Sequence, residues 1–193
     1  MTDFTSITNG APTQRPTTAT INKPVNKEPP KIQDSGNRRQ FDTGAVRDIQ
    51  KGKGRCDLLP FDVIAGCYAH QFGKEDNSAE IFASIYKFTS SGDITYLYEL
   101  LTIDEPFGSY PDMFLEVSIH FEEGANKYGE NNWQKGIPVH CYIDSAIRHY
   151  LKYQRGDKDE PHDRAFCWNV MCAIWTVIHH PELDEYKLVK TAD

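Results

Sequence analysis

Acidic side chains are grouped at two places in the chain where they could hold a metal ion. The first group lies in the middle of a predicted helix, and the second surrounds the start of another. Carboxylates that project from two helices of one bundle form oxygen-rich sites for Mg²⁺ or Mn²⁺. The sequence therefore predicts five metal ligands, Glu122, Glu123, Asp159, Glu160 and Asp163.

A purely structural interpretation of these carboxylates stays open. Asp159 and Glu160 come directly before Pro161, so they can cap the following helix by accepting hydrogen bonds from its first amides. Glu123 lies four residues before Lys127, which is the spacing of a stabilising ion pair on a helix.

A short basic segment precedes the predicted helices. Residues 38–57 carry six basic and three acidic side chains, whereas the whole chain has a net charge of −7. Lys51, Lys53 and Arg55 alternate with glycines, so their charges and the neighbouring amides can surround a polyphosphate. The spacing differs from that of a Walker loop. The alternative is a solvated loop without a ligand.

Polar residues also interrupt two helices that are otherwise largely apolar. Arg148 and His149 lie beside the apolar face of one helix and are candidates for phosphate binding and catalysis. The alternative is that Arg148 pairs with Asp144, four residues earlier. His162 and Asn169 are seven residues apart and share one face of the last long helix. An asparagine in such an apolar run needs a hydrogen-bond partner, from the core or from a ligand.

Apolar residues recur at helical spacing from Pro60 onward, and this pattern predicts an all-α fold. The predicted helices span 60–72, 78–88, 93–101, 112–127, 140–153 and about 161–179. Residues 1–37 hold five of the eleven prolines and little apolar surface, which predicts a disordered tail. The predicted organisation is a tail at 1–37, a basic Gly-rich loop at 38–60 and a helical domain at 61–193.

The helix predicted over 112–127 is amphipathic, and such a helix is expected to bury its apolar face. Its apolar face holds Phe114, Val117, Phe121, Ala125 and Tyr128. A second, polar face holds Glu116, His120, Glu123 and Lys127.

Composition and charge exclude several classes of protein. A net charge of −7 argues against a general binder of duplex nucleic acid, which needs clustered positive charge. No apolar run approaches the roughly 18–20 residues of a membrane span, and no secretory signal is visible. The five cysteines include no C-x-x-C pair, a pattern typical of free thiols in the reducing cytoplasm.

Three stretches of the chain together resemble one protein family: FDTGAVRDIQKGKGRCDLLP, EEGANKYGENNWQKG and DSAIRHYLKYQRGDKDEPHDRAFCWN. They are similar to the phage and bacterial dATP/dGTP diphosphohydrolase N-terminal-domain family, over about residues 38–175. Segment 73–111 lies outside these motifs and is interpreted as a helical insertion. The family name implies kinship with MazG-type all-α pyrophosphohydrolases, which use Mg²⁺ to split a nucleoside triphosphate into a monophosphate and pyrophosphate.

The resemblance implies a purine deoxynucleoside triphosphate (dATP or dGTP) as substrate and Mg²⁺ or Mn²⁺ as cofactor. It also implies a homo-oligomer and a cytoplasmic location, in the host cytoplasm for a phage protein. The catalytic residues that we expect on this basis are Glu123, His149 and His162. The expected substrate ligands are Arg47, Lys51, Lys53, Arg55, Lys127, Arg148 and Asn169.

The acidic pattern of MazG-type enzymes is Glu-Glu-x-x-Glu on one helix and Glu-x-x-Asp on the next. The pair Glu122-Glu123 matches the first, and the run EPHD at 160–163 matches the second in form. Asn126 and Lys127 stand where a further glutamate would occur. This departure favours an alternative, a non-catalytic phage protein that binds and sequesters a nucleotide. A third hypothesis is a structural helical domain that binds a phage partner through its tail.

A different reaction centre is suggested by His162-Asp163, which resembles the pair that names the HD phosphohydrolases. Such a site needs an earlier metal-binding histidine and a later aspartate. His149 lies only 13 residues upstream, with a helix break between, which argues against this hypothesis.

Overall fold

The computed structural model describes residues 36–50, 53–73, 76–103 and 109–188. The predicted all-α fold is confirmed, because helices dominate these ranges. Within them the α-helices are α1 (Phe61–Phe72), α2 (Asn77–Ser91), α3 (Thr95–Ile103), α4 (Tyr110–Tyr128), α5 (Val139–Arg155), α6 (His162–His179) and α7 (Glu185–Leu188). Short 3-10 turns occur at Cys56–Leu58, Asn132–Lys135 and Pro181–Leu183. The predicted tail lies outside the described residues up to position 35.

Local hydrogen bonds explain where the second helix begins and ends. Asp76 caps α2, and its carboxylate accepts from the Ser78 and Ala79 amides at 2.9 and 3.4 Å, so Ser78 is not the capping residue. Ser78 is buried instead and accepts a hydrogen bond from Tyr150 of α5. Gly92, with a φ of 66°, ends the helix in the left-handed conformation that favours glycine.

The core is built around α5 and α6, which lie side by side and bury Tyr142, Ile147, Val170 and Ala173 completely. Segment 73–111 contributes to this same core through α2 and α3. The buried apolar side chains among its described residues are Ala79, Ile81, Phe82, Ile85, Phe88, Leu97 and Leu100. None of the described helices is both long and apolar enough to cross a membrane.

The α4 helix buries part of the face that apolar spacing predicts, since Val117 is buried and Phe121 packs against the core, but the buried face is shifted round the helix. Met113, Val117 and His120 face the core, whereas Phe114 is 53% exposed. The aromatic rings at the start of α4 do not reach the core, because Tyr110 and Phe114 stack on each other at the surface. The buried face therefore includes a histidine that the sequence assigns to the polar side.

Part of the predicted basic loop forms a two-stranded antiparallel hairpin. Strand β1 (Arg38–Gln40) pairs with strand β2 (Val46–Asp48), and Gly44 turns the chain between them with a φ of 82°. The Asn132 side chain, just after α4, accepts from the Val46 amide and donates to the Val46 carbonyl at 2.9 and 2.8 Å. These two bonds attach the hairpin to the helical body.

The short α7 helix is held against α5 by an ion pair. His140 Nδ1 lies 2.7 Å from Glu185 Oε1, and His140 Nε2 lies 3.3 Å from Cys141 Sγ. Hydrogen bonds with Cys141 and Glu185 raise the pKa of His140 from 6.5 to about 10. The charged imidazole therefore stabilises the fold fully below pH 6.5, and this stabilisation is lost as the pH rises through about 10.

We expect the Glu185→Gln variant to lose about 1.5–3 kcal/mol of unfolding free energy near neutral pH, the usual contribution of a hydrogen bond to a charged group. The loss should shrink above the pKa of His140, where the wild type has lost the same interaction. Thermal denaturation of both proteins at several pH values measures the difference in stability. Glu182→Gln, which removes an exposed pair with His180, is the control and should cost less than about 1 kcal/mol. If the unfolding free energies of Glu185→Gln and the wild type depended on pH in the same way, the ion pair of His140 with Glu185 would not stabilise the fold.

Candidate functional site

A cavity of about 840 Å³ opens between the hairpin and the helical body. Its walls come from β2 and the loop after it, the C-terminal half of α4, the α4–α5 connection, and the facing sides of α5 and α6. The volume falls within the roughly 300–1,000 Å³ of small-molecule sites. Seven of the predicted site residues line it: Arg47, Lys53, Glu122, Arg148, His149, Glu160 and Asn169.

Three cations are grouped in one part of the cavity, here called its cationic end, although each also has a carboxylate within 4.0 Å. Lys53, Arg148 and Lys152 all line the cavity. Burial lowers the pKa of Lys53, and the nearby charges of Arg148 and Lys127 lower it further, although Asp48 and Glu160 oppose them. Cations that lie close enough to act on one another favour an anionic ligand, which would relieve their repulsion.

Arg148 fixes the basic loop to α5. Its Nε donates to the Lys53 carbonyl at 3.1 Å, and its Nη2 donates to the Gly54 carbonyl at 3.0 Å. Gly54 adopts a φ of 79°, a backbone conformation that favours glycine. Arg148 also pairs with Asp144, as the structural alternative predicts. The loop therefore presents carbonyls to Arg148, and the Lys53 side chain lines the cavity.

The buried carboxylate of Asp144 holds together the residues of the cationic end. The carboxylate is 2% exposed and accepts from the Gln50 side chain at 2.8 Å, from the Cys56 amide at 2.6 Å and from Arg148. Asp144, which lies on α5, thus holds the loop at two points, one before and one after Lys53. Because each donor comes from a different part of the chain, the carboxylate sets the shape of the cationic end.

Aromatic side chains line another part of the cavity, here called its aromatic end. The rings that line it belong to Phe41, Phe121, Tyr128, Trp133 and Trp168. His120 lies among them, with its ring centre 5.2 Å from that of Trp168. Within the described residues, His120 Nδ1 and Trp168 Nε1 are buried without a hydrogen-bond partner. An unsatisfied buried polar atom costs about 1–3 kcal/mol, so both atoms favour a ligand that hydrogen-bonds to them.

The charge state of His120 follows from its surroundings. Burial, together with the nearby charges of Arg164, Arg47 and Lys127, lowers its pKa to about 3. The imidazole is therefore neutral near pH 7 and offers one donor and one acceptor. Such a group suits the edge of a heterocyclic base better than it suits a phosphate.

Arg47 and Asn169, both predicted substrate ligands, bind each other at the cavity wall. The Arg47 guanidinium donates to the Asn169 side-chain oxygen and lies 4.9 Å from the centre of the Tyr142 ring. Asn169 in turn donates to the Ala165 carbonyl at 2.8 Å, which supplies the partner that its apolar helix requires. Both side chains line the cavity in fixed positions.

Two histidines meet near the cationic end. His149 Nδ1 lies 3.0 Å from His162 Nδ1, and His162 Nε2 lies 2.8 Å from Asp159 Oδ1. Burial and the adjacent His162 hold the pKa of His149 well below its usual value, so this imidazole is neutral. Glu160 lines the cavity beside them, and burial raises its pKa. The helix break between His149 and His162 therefore brings them together instead of separating them.

The predicted metal carboxylates are not gathered into one group. Glu123 pairs with Arg164 at 3.1 Å, and Arg164 is 2% exposed. Within the described residues, two groups place three or more possible metal ligands within 4.8 Å of one another. Neither group contains Glu122, Glu123 or Asp163. An oxygen-only cage of the kind expected from the sequence is therefore not formed by the described side chains.

The remaining predicted ligands lie elsewhere. Lys51 lies outside the described residues. Arg55 forms a two-pronged pair with Asp57 and does not line the cavity. Lys127 lies behind the cavity wall and pairs with Asp48 at 3.0 Å, not with Glu123.

A family model described as "dATP/dGTP diphosphohydrolase, N-terminal" matches residues 87–186, which are 100 of the 193 residues. The chain belongs to this family. No curated protein and no solved structure matches the chain. The family region includes the part of segment 73–111 from residue 87 onward, which the motifs place outside it. It contains His149, Glu160 and Trp168, whereas the hairpin and Lys53 precede it.

Sequence reasoning does not identify three residues of this candidate site. For Asp144, the sequence predicts only an ion pair with Arg148, four residues later. Its hydrogen bonds with Gln50 and Cys56 join residues about 90 positions apart, so the sequence does not reveal them. His120 falls by spacing on the polar face of α4, although its ring is buried. Trp168 is best explained from sequence as a core residue, and only the fold places it at the cavity.

Proposed function

We propose that this protein hydrolyses purine deoxynucleoside triphosphates, dATP or dGTP, to a monophosphate and pyrophosphate. The observation that carries the proposal is a single cavity with a cationic end and an aromatic end, built largely from the family region. A triphosphate and a purine base are the two parts of a ligand that match these ends. The family description supports the same class of substrate.

At the cationic end, Lys53, Arg148 and Lys152 bind the triphosphate and stabilise the charge that develops on the departing pyrophosphate. Arg148 is held by Asp144 and by two loop carbonyls, so its guanidinium needs no rearrangement when the substrate binds. Preorganised charge of this kind is the largest contribution to many phosphoryl-transfer reactions.

At the aromatic end, the purine stacks among Trp133, Trp168 and Phe121 and hydrogen-bonds to His120 Nδ1 and Trp168 Nε1. Aromatic stacking on a base contributes about 1–3 kcal/mol. A purine has the larger ring face, and both of its rings carry hydrogen-bonding groups. The two unpaired nitrogen atoms therefore support selection for a purine over a pyrimidine.

Hydrolysis breaks the bond between the α-phosphorus and the oxygen that bridges to the β-phosphate. A water oxygen bonds to the α-phosphorus, pyrophosphate leaves with the bridging oxygen, and the water proton passes to a base in the cavity. His149 and Glu160 are the bases at this end that line the wall. We assign water activation to the group formed by His149, Glu160 and His162.

Mg²⁺ or Mn²⁺ is the proposed cofactor. When bound, such an ion neutralises triphosphate charge, and sites for nucleotide-borne Mg²⁺ commonly use only one or two carboxylates. Glu122 lines the cavity on an exposed part of α4, so it fits as a ligand to an ion carried by the nucleotide. Glu123 does not fit this role, because its carboxylate forms an ion pair with Arg164.

The second candidate function is binding without hydrolysis, as in a phage protein that sequesters a nucleotide. The observation that favours it is the pairing of Glu123 with Arg164, since Glu123 is the carboxylate expected to be catalytic and does not line the cavity. The same cationic and aromatic ends serve either function. Release of pyrophosphate from a bound nucleotide distinguishes them.

Two further expectations belong to this proposal. The MazG-type resemblance implies a homo-oligomer, and the exposed apolar side chains of α4, which include Leu115 at 68% exposure, supply a surface for one. A cytoplasmic location follows from a substrate found in the nucleotide pool. Size-exclusion chromatography with light scattering measures the oligomeric state.

We expect the purified protein to release pyrophosphate from dATP or dGTP with Mg²⁺ or Mn²⁺, and to be stabilised against heat by purine more than by pyrimidine nucleotides. Lys53→Ala should raise the KM about tenfold or more, because a cavity cation is lost. Arg55→Ala is the matched control from the same loop and should leave KM nearly unchanged, because Arg55 is paired with Asp57. Nucleotide binding without pyrophosphate would support the second function, and no binding would exclude both.

A further inference from the structure

The hydrogen bonds of His162 determine which of its nitrogen atoms carries the proton. Its Nε2 lies 2.8 Å from Asp159 Oδ1, and the same carboxylate binds Lys152 Nζ at 2.9 Å. An ionised carboxylate only accepts hydrogen bonds, so the imidazole proton lies on Nε2. The other ring nitrogen, Nδ1, faces His149.

His149 presents its own Nδ1 to that nitrogen at 3.0 Å. Metal–imidazole bonds of about 2.1 Å place two neighbouring ligands of one ion roughly 3.0–3.4 Å apart. The two histidines are therefore already spaced as neighbouring ligands. A histidine that binds a metal usually donates its other ring N–H to a carboxylate, a backbone carbonyl or water, and Asp159 is placed to accept such a bond from His162.

Glu160 completes a set of three. Its carboxylate lies within 4.8 Å of ligand atoms on both histidines, and it lines the cavity with His149. We propose that His149, Glu160 and His162 bind a first-row transition-metal ion, with Asp159 as the positioning residue that fixes His162. Two imidazoles and one carboxylate suit Mn²⁺, Fe²⁺, Co²⁺ or Zn²⁺ better than Mg²⁺, which prefers oxygen ligands. This ion is distinct from one carried in by a nucleotide, and when it is bound these three side chains would hold it and act on water through its charge instead of as free bases.

A second group of possible ligands, Asp157, Asp159 and His162, competes with this assignment. Both of its carboxylates already have cationic partners, since Asp157 pairs with Arg155 and Asp159 with Lys152. Neither carboxylate lines the cavity. The geometry therefore favours the group that includes His149 and Glu160.

Calorimetric titration of the metal-free full chain with Co²⁺ and Mn²⁺, without nucleotide, tests the site. We expect one ion per chain, with the visible absorption of Co²⁺ bound to nitrogen and oxygen. His149→Gln and Glu160→Gln should weaken binding about 100-fold or more, and Asp159→Asn about 10–100-fold. His70→Gln, an exposed histidine on α1, and Asp157→Asn are the controls and should bind as the wild type does.

In the wild-type protein, Mn²⁺ should selectively broaden the imidazole NMR signals of His149 and His162, which tests the site without relying on a variant that folds. No saturable binding of either ion would overturn the proposal, as would broadening of other histidines alone. Binding that is insensitive to His149→Gln but weakened by Asp157→Asn would also overturn it. Because no nucleotide is present, these results are independent of whether the protein is a hydrolase.

Discussion

Replacing Asp144 with alanine is expected to lower the free energy of unfolding by about 3–5 kcal/mol, the usual cost of removing one partner of a buried ion pair. The carboxylate is almost completely buried and accepts three hydrogen bonds, so its loss leaves Arg148 without its anion. The Cys56 amide and Gln50 lose their acceptor at the same time. Chemical denaturation monitored by circular dichroism measures the change.

The Asp144→Ala variant that remains folded should also bind nucleotide poorly, because the loop that carries Lys53 is no longer fixed to α5. Asp157→Ala is the matched control. It also removes an aspartate that pairs with an arginine, Arg155, but Arg155 is largely exposed, so the cost should stay below about 1 kcal/mol. Equal stability of the two variants would show that Asp144 does not organise the site.

The second large effect concerns turnover. His149→Gln should lower kcat for pyrophosphate release by about 10²–10⁴-fold, the range typical of losing a group that activates water. Its KM should change less, because the triphosphate contacts of Lys53 and Arg148 remain. Steady-state assays at saturating dATP or dGTP measure both constants.

His149→Gln is a cleaner test of catalysis than Glu123→Ala, which would leave the buried Arg164 without its close partner. His70→Gln controls for loss of an imidazole as such. Unchanged kcat in His149→Gln would exclude the assigned reaction centre. If wild-type protein binds the nucleotide but neither form releases pyrophosphate, the sequestering function is the correct one.

The helices follow from the sequence because their apolar spacing is a local property. Asp144 and His149 show where such reasoning stops. The distance between His149 and His162 depends on how the break between α5 and α6 folds back, and a count of 13 residues does not reveal it. Asp144 has two of its donors about 90 residues away, so its role depends on long-range contacts.

The basic loop shows that residues with the same local sequence pattern can have different environments in the fold. Alternating charges predict that Lys53 and Arg55 act alike, yet only Lys53 lines the cavity. The difference arises from Asp57, which lies two residues after Arg55 and captures its guanidinium. The charge of the loop can be predicted from its composition. Whether each basic side chain lines the cavity depends instead on which carboxylate it pairs with.

The attachment of the hairpin through Asn132 determines which of its residues can change. Residues before position 87 precede the family region, yet they supply one wall of its cavity and are joined to it by two backbone-directed bonds from Asn132 to Val46. Such an attachment depends little on the side chains of the wall itself. The hairpin can therefore accept changes of its own side chains without losing its place against the helical body, whereas replacement of Asn132 would remove both bonds.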